Sequence, residues 1–107
     1  SARWILDEYK APKTEREWGY YRILREYGSE IKLKELVVEP NHSLSMQKHL
    51  KRKEFWFVAE GNASVYSLDV DGNRRLRGNY NKFDILDILN EEWHQLVNET
   101  KDVLKKI

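Results

Sequence analysis

The sequence predicts an all-β domain, and three observations carry that prediction. Short runs rich in β-branched and aromatic residues recur at even spacing, turn residues separate them, and alternation of apolar and polar side chains marks several of them as half-buried strands. A chain of 107 residues has room for one core, so one sandwich or barrel must carry whatever the protein does.

Residues 1–17 read as an arm, with Trp4, Ile5 and Leu6 as anchors and Pro12 in a polar run, and are expected to be irregular or an edge strand. The domain proper is expected over residues 18–107. Residues 18–24 are aromatic and β-prone, Tyr27, Gly28 and Ser29 supply a turn, and residues 31–38 alternate, so the two runs predict a hairpin. Pro40 and Asn41 end it. A strand is expected to begin near Leu44, followed by the apolar run of residues 55–59 and a turn at Glu60, Gly61 and Asn62.

Residues 63–70 alternate again up to Asp71-Gly72, a two-residue hairpin signal, and residues 74–77 return. Gly78 and Asn79 then read as another turn, residues 83–89 as an apolar strand, and Asn90, Glu91 and Glu92 as the turn into residues 93–98. A competing reading makes residues 84–96 a helix, with Ile85, Ile88, Leu89 and Leu96 on one face. Residues 103–107 begin a strand.

Composition narrows the partners. Lys plus Arg (19) and Asp plus Glu (18) nearly cancel, leaving no basic field of the kind that holds nucleic acid. There is no cysteine, so any metal must be held by nitrogen and oxygen. No apolar run reaches a membrane span and the first residues lack a signal peptide's apolar centre, so a cytoplasmic location without a membrane partner is expected. Open sheet edges and the N-terminal arm suggest a homodimer.

The chemistry concentrates in residues 40–61. Gln47 and His49 stand two apart, which on a strand would put them and Lys51 on one face, and Glu54 follows. Lys48, Lys51, Arg52 and Lys53 form a basic run beside them. A solvated edge is the ordinary reading of such a run, although Arg and Lys also suit phosphate. Trp56 and Trp93 are assigned to the core, Trp18 to either core or a sugar-stacking platform, and His42 to an exposed loop.

From Asn41 through Gln47, His49 and Glu54 to Gly61, this stretch keeps the register of the first cupin motif, and His94 followed by Asn98 matches the end of the second. The chain resembles the cupins, and among them the mannose-6-phosphate isomerases, especially the cupin domain that ends the bifunctional isomerase and mannose-1-phosphate guanylyltransferase enzymes. Three stretches carry the likeness: residues 18–21; residues 44–49 with Arg52, Glu54 and Trp56; and residues 93–98. Asn41 stands in place of the motif's glycine, Lys51 where those domains commonly have histidine, and Leu89 and Glu91 where a proline and a glycine usually precede the second-motif histidine. The family domain also continues with another strand and a basic segment, so a missing last strand or tail is expected here.

The resemblance implies a cupin double-stranded β-helix, a jelly-roll barrel, with one divalent metal held by Gln47, His49, Glu54 and His94. Zinc is favoured, and manganese, nickel, cobalt and iron fit the same donors. It implies a metal-dependent aldose–ketose isomerase acting on a phosphorylated sugar, with Arg52 and Lys48 toward the phosphate and Lys51 as the candidate base. Two alternatives accompany it: a non-catalytic cupin that binds a sugar, nucleotide sugar or phosphate, and a metal-dependent oxygenase on the same barrel.

Overall fold

The structure, a computed structural model, describes residues 11–107. The expected anchoring by Trp4, Ile5 and Leu6 falls outside them. Nine strands follow in order: β1 (Thr14–Arg16), β2 (Gly19–Tyr27), β3 (Ile31–Val38), β4 (Glu54–Glu60), β5 (Asn62–Leu68), β6 (Arg74–Asn81), β7 (Ile85–Ile88), β8 (Gln95–Val97) and β9 (Leu104–Lys106). Among the described residues there is no helix, which removes the helical reading of residues 84–96, and none therefore long and apolar enough to cross a membrane.

Six strands form one sheet in the order β1-β2-β3-β9-β4-β7, and three form a second in the order β6-β5-β8. All pairings are antiparallel. The core lies between the sheets, where Leu36 and Val38 of β3, Trp56 and Val58 of β4, Ala63 and Val65 of β5, Leu86 and Ile88 of β7, Leu96 and Leu104 pack together. These residues sit at alternate positions on their strands, as a sheet with one buried face requires.

The β2–β3 hairpin and the edge strand β1 lie where the sequence predicts them. Elsewhere the chain departs from the expectation. Residues 42–53 are not a regular strand: they run beside β8 through two isolated bridges, Ser43 with Val97 and Gln47 with His94, so strict alternation does not govern which way their side chains point. The β5–β6 connection is longer than a two-residue turn. Asp69 accepts from the backbone N–H of Asp71 and Asn73 and from Arg75, closing a loop with Gly72 at φ +80°.

Gly78 and Asn79 are not a turn but lie inside β6, next to a bulge where Val65 pairs with Gly78 and Tyr66 with Leu76. The final residues form β9, which sits between β3 and β4 rather than at an edge. Gly61 makes that possible. It links β4 to β5 at φ +82°, and a Cβ there would meet the Val103 carbonyl oxygen at 2.5 Å.

Asn98 is fully buried and holds the β8–β9 loop. Its Nδ2 donates to the carbonyls of Val38 (3.0 Å) and Asp102 (2.8 Å), and its Oδ1 accepts from the Thr100 amide and hydroxyl. Asparagine has the donors and acceptor for all four bonds at once, and buried backbone groups require such partners.

Candidate functional site

An open cavity of about 1260 Å³ enters between the sheets, lined by residues of β2, β3, β4, β9, the 44–53 segment and His94. Glu54 and His94 line it and His49 lies just outside its lining, each of the three offering one ligand atom within 4.8 Å of the others. Glu54 opens β4, and its inward direction follows from the buried Trp56 and Val58 at the next alternate positions. His94 is buried and locked in register by two backbone bonds with Gln47, each 2.8 Å.

The hydrogen bonds set the tautomer of each imidazole in its neutral form. His94 Nδ1–H donates to the Glu92 carbonyl (3.0 Å), which in the neutral ring leaves the lone pair on Nε2. An Arg52 guanidinium N–H donates to His49 Nε2 (3.0 Å), so Nε2 carries the lone pair there too. Both Nε2 atoms approach the same oxygen, Glu54 Oε2, at 3.1 Å from His49 and 3.2 Å from His94. That oxygen is buried and no hydrogen bond of proper geometry reaches it.

Two imidazole nitrogens and a carboxylate oxygen so close together need positive charge among them, supplied by a proton on His94 Nε2 or by a metal ion that displaces it. Tetrahedral ligands at about 2.0–2.1 Å from a zinc ion stand roughly 3.3 Å apart, close to the separations here. The donor set therefore fits a divalent metal. Arg52's guanidinium stands in for part of that positive charge at His49.

The protonation equilibria separate the two imidazoles. Burial pushes the Glu54 carboxyl up, but the adjoining His94 imidazole, the Lys106 charge and the Trp56 indole N–H outweigh it and hold the pKa at about 2. Burial lowers the His49 pKa, and the charge of Arg52 lowers it further, keeping a neutral imidazole with its lone pair available. Burial also acts to lower His94, but the Glu54 carboxylate and the Glu92 carbonyl win and raise it.

The remaining expected site residues are placed differently from one another. Gln47 lines the cavity beside His94, with its side-chain amide donating to Ser45 Oγ (3.2 Å). Lys51 and Arg52 also line it, both exposed. Lys48 does not line this cavity: its ammonium lies 5.1 Å from the centre of the Trp93 ring. Trp93 is 38% exposed, correcting its assignment to the core, because the chain leaves the turn with His94 rather than Trp93 facing inward. Trp56 is core as expected, Trp18 packs half-buried against it, and His42 is exposed.

Two of the four departures from the cupin pattern, those at glycine positions, preserve the backbone of the residues they replace. Asn41 and Glu91, at the positions of the motif glycines, both keep a glycine-like backbone, at φ +59° and +65°. The Glu91 N–H donates to the His49 carbonyl (2.6 Å), so this turn ties the 44–53 segment to the loop that delivers His94.

One residue of the site was not anticipated. Lys106, on β9, pairs in register with Leu36 and Val58, both core residues, and its side chain points inward with them. It is 6% exposed, its ammonium lies 4.3 Å from the Trp56 ring centre, and burial lowers its pKa to about 8. A signal was present, since Leu104 and Lys106 share strand parity, but a lysine pair near a strand end reads as solvated.

Over residues 7–107 the chain matches the family model described as "Mannose-6-phosphate isomerase C-terminal". The chain belongs to this family. Among curated relatives, the mannose-1-phosphate guanylyltransferase of Escherichia coli strain K12 is 36% identical over 63 residues, covering 59% of this chain and 12% of the relative. The alginate biosynthesis protein AlgA of Pseudomonas putida is 36% identical over 66 residues, covering 56% and 13%. The matched stretch of this chain thus spans only about an eighth of the length of those relatives.

Solved structures confirm the cupin fold. The capsular polysaccharide assembling protein CapF of Staphylococcus aureus superposes with a TM-score of 0.80 at 13% identity, covering 92% of this chain and 28% of CapF. The Drosophila melanogaster CENP-C cupin domain gives 0.76 at 14% identity, covering 90% and 71%. At these identities the likeness speaks for fold alone.

Proposed function

We propose that this cupin domain is a metal-dependent sugar-phosphate isomerase, interconverting an aldose phosphate and a ketose phosphate such as mannose 6-phosphate and fructose 6-phosphate. The observation that carries the reading is the convergence of two imidazole nitrogens, His49 Nε2 and His94 Nε2, on Glu54 Oε2 beside the cavity. Membership of the mannose-6-phosphate isomerase C-terminal family supports the choice of substrate class.

His49, Glu54 and His94 would hold the ion, with the Gln47 amide oxygen available as a fourth ligand after rotation away from Ser45. Zinc is the favoured ion for two imidazoles and oxygen donors. When bound, the ion supplies Lewis-acid polarisation of adjacent carbonyl and hydroxyl oxygens. The chain's own groups do the rest. The Glu92 carbonyl fixes the His94 tautomer, and the His94 backbone pairing with Gln47 fixes its position. Trp56 forms an apolar floor that excludes water beside Glu54, donating its indole N–H to Oε1 (3.3 Å). Lys51, at the exposed margin of the cavity, remains the candidate to move a proton between adjacent carbons of the substrate.

The test is fructose 6-phosphate formation from mannose 6-phosphate by the zinc-loaded chain, compared with His49→Ala. Turnover that falls to background in the variant supports the reading. No turnover in the unaltered protein, or turnover unaffected by the substitution, overturns it.

A further inference from the structure

The cavity carries positive charge that the metal ligands do not account for. Lys34 of β3, Lys106 of β9 and Arg52 all line it, and they lie close enough for Lys34 and Arg52 to act electrostatically on Lys106. Among the described residues none of the three stands within ion-pair distance of a carboxylate, whereas Arg22, Lys32 and Lys105 on the same sheet all do. Lys34 instead rests 4.7 Å from the Tyr21 ring centre and Lys106 rests on Trp56. Aromatic faces orient ammonium groups while leaving their hydrogen-bond donors unspent.

Burial of an ammonium without a carboxylate is costly, and in an ordinary core the position would be apolar. Leu36 and Val58, the register partners of Lys106, show what its environment otherwise favours. Of the charges that act on Lys106, Lys34 and Arg52 are positive and Glu54 alone is negative, which leaves this part of the cavity with unmet demand for negative charge. A tetrahedral dianion with several acceptor oxygens suits three donors arriving from three different segments.

We propose that Lys34, Arg52 and Lys106 form an anion subsite of the cavity that takes a phosphate monoester, with Lys106 as its buried positioning residue. The identity of the remainder of the ligand rests on the sugar-phosphate reading above, but the subsite itself does not depend on metal. It also replaces Lys48, which stands over Trp93 instead, as the lysine partner of Arg52.

The test is calorimetric titration of inorganic phosphate into the full chain, metal-free and zinc-loaded, for the unaltered protein, Lys106→Met, Lys34→Met and a remote control, Lys101→Met. One phosphate per chain is expected in both metal states, with affinity at least tenfold weaker in Lys106→Met and Lys34→Met and unchanged in the control. Circular dichroism and the unfolding midpoint of each variant separate lost binding from lost folding, and Lys106→Met is expected to be the more stable protein. Absence of saturable binding to the folded, unaltered chain overturns the subsite, as does binding that Lys106→Met leaves intact. Phosphate binding without isomerase activity keeps the subsite and rejects the isomerase. Isomerase activity whose KM for mannose 6-phosphate is the same in Lys106→Met keeps the isomerase and rejects the subsite.

Discussion

The cavity handles buried polarity in opposite ways in its two regions. At His49, Glu54 and His94, acid and bases face one another, each imidazole is oriented by a second partner, and the remaining mismatch is the unpaired Glu54 Oε2. At Lys34, Arg52 and Lys106 the charges have one sign, the two ammonium groups rest on aromatic faces and Arg52 donates to His49. The first arrangement asks for a cation and the second for an anion. A molecule with vicinal oxygens at one end and a phosphate at the other would meet both demands, and neither region has a better explanation in terms of stability alone.

That comparison is sharpest at Lys106. Replacing it with methionine, similar in length and apolar, is expected to stabilise the fold by about 1–3 kcal/mol at neutral pH, because a buried ammonium gives way to a side chain suited to its neighbours. Chemical denaturation measures this directly. A destabilised Lys106→Met would mean that the lysine is structural, and the contrast between the two regions would collapse.

The pH dependence supplies a companion reading. Lys106 titrates at about 8 in the folded chain against 10.5 when unfolded, so between these values the unfolded state holds a proton that the native state lacks. Unfolding free energy should therefore rise with pH across that window, by on the order of 3 kcal/mol at most. The group facing it on β4 is Glu54, with Lys34 on β3 and Arg52 on the preceding segment. Stability profiles of the unaltered chain and Lys106→Met should converge as pH rises from 8 to 10.5; parallel profiles would contradict the assignment.

A smaller effect is expected at the turn before His94. Glu91 holds φ +65°, where glycine is at ease and glutamate is strained, so Glu91→Gly should stabilise the chain by roughly 0.5–1 kcal/mol without loss of metal affinity. Weaker metal binding in that variant would show that the glutamate side chain helps to aim His94.

Much of this molecule could be read from residues whose chemistry is local. Turns at Gly28, Gly61 and Gly72 mark the hairpins because a positive φ is written in the residue itself. His49, Glu54 and His94 could be grouped because the motif spacing survives, although the 44–53 segment bearing His49 is not the regular strand that spacing suggested. Asn41 and Glu91 kept the backbone of the glycines they replace, since the surrounding hydrogen bonds at Glu39, His42 and His49 determine the turn more strongly than the residue's own preference. What could not be read depends on tertiary partners. Gly78 fits a turn or a bulge equally well until Val65 is known to lie opposite. Lys106 looks solvated until β9 is found between β3 and β4, where an inward position has nowhere to go but the cavity.

The most direct test of the account is the metal content of the purified, zinc-reconstituted chain, measured by elemental analysis beside His94→Ala. One zinc ion per unaltered chain is expected, with loss of stoichiometric zinc in the variant. An unaltered, folded chain that retains no stoichiometric divalent metal, or a His94→Ala chain that retains it in full, would contradict the claim that His49, Glu54 and His94 form a metal centre.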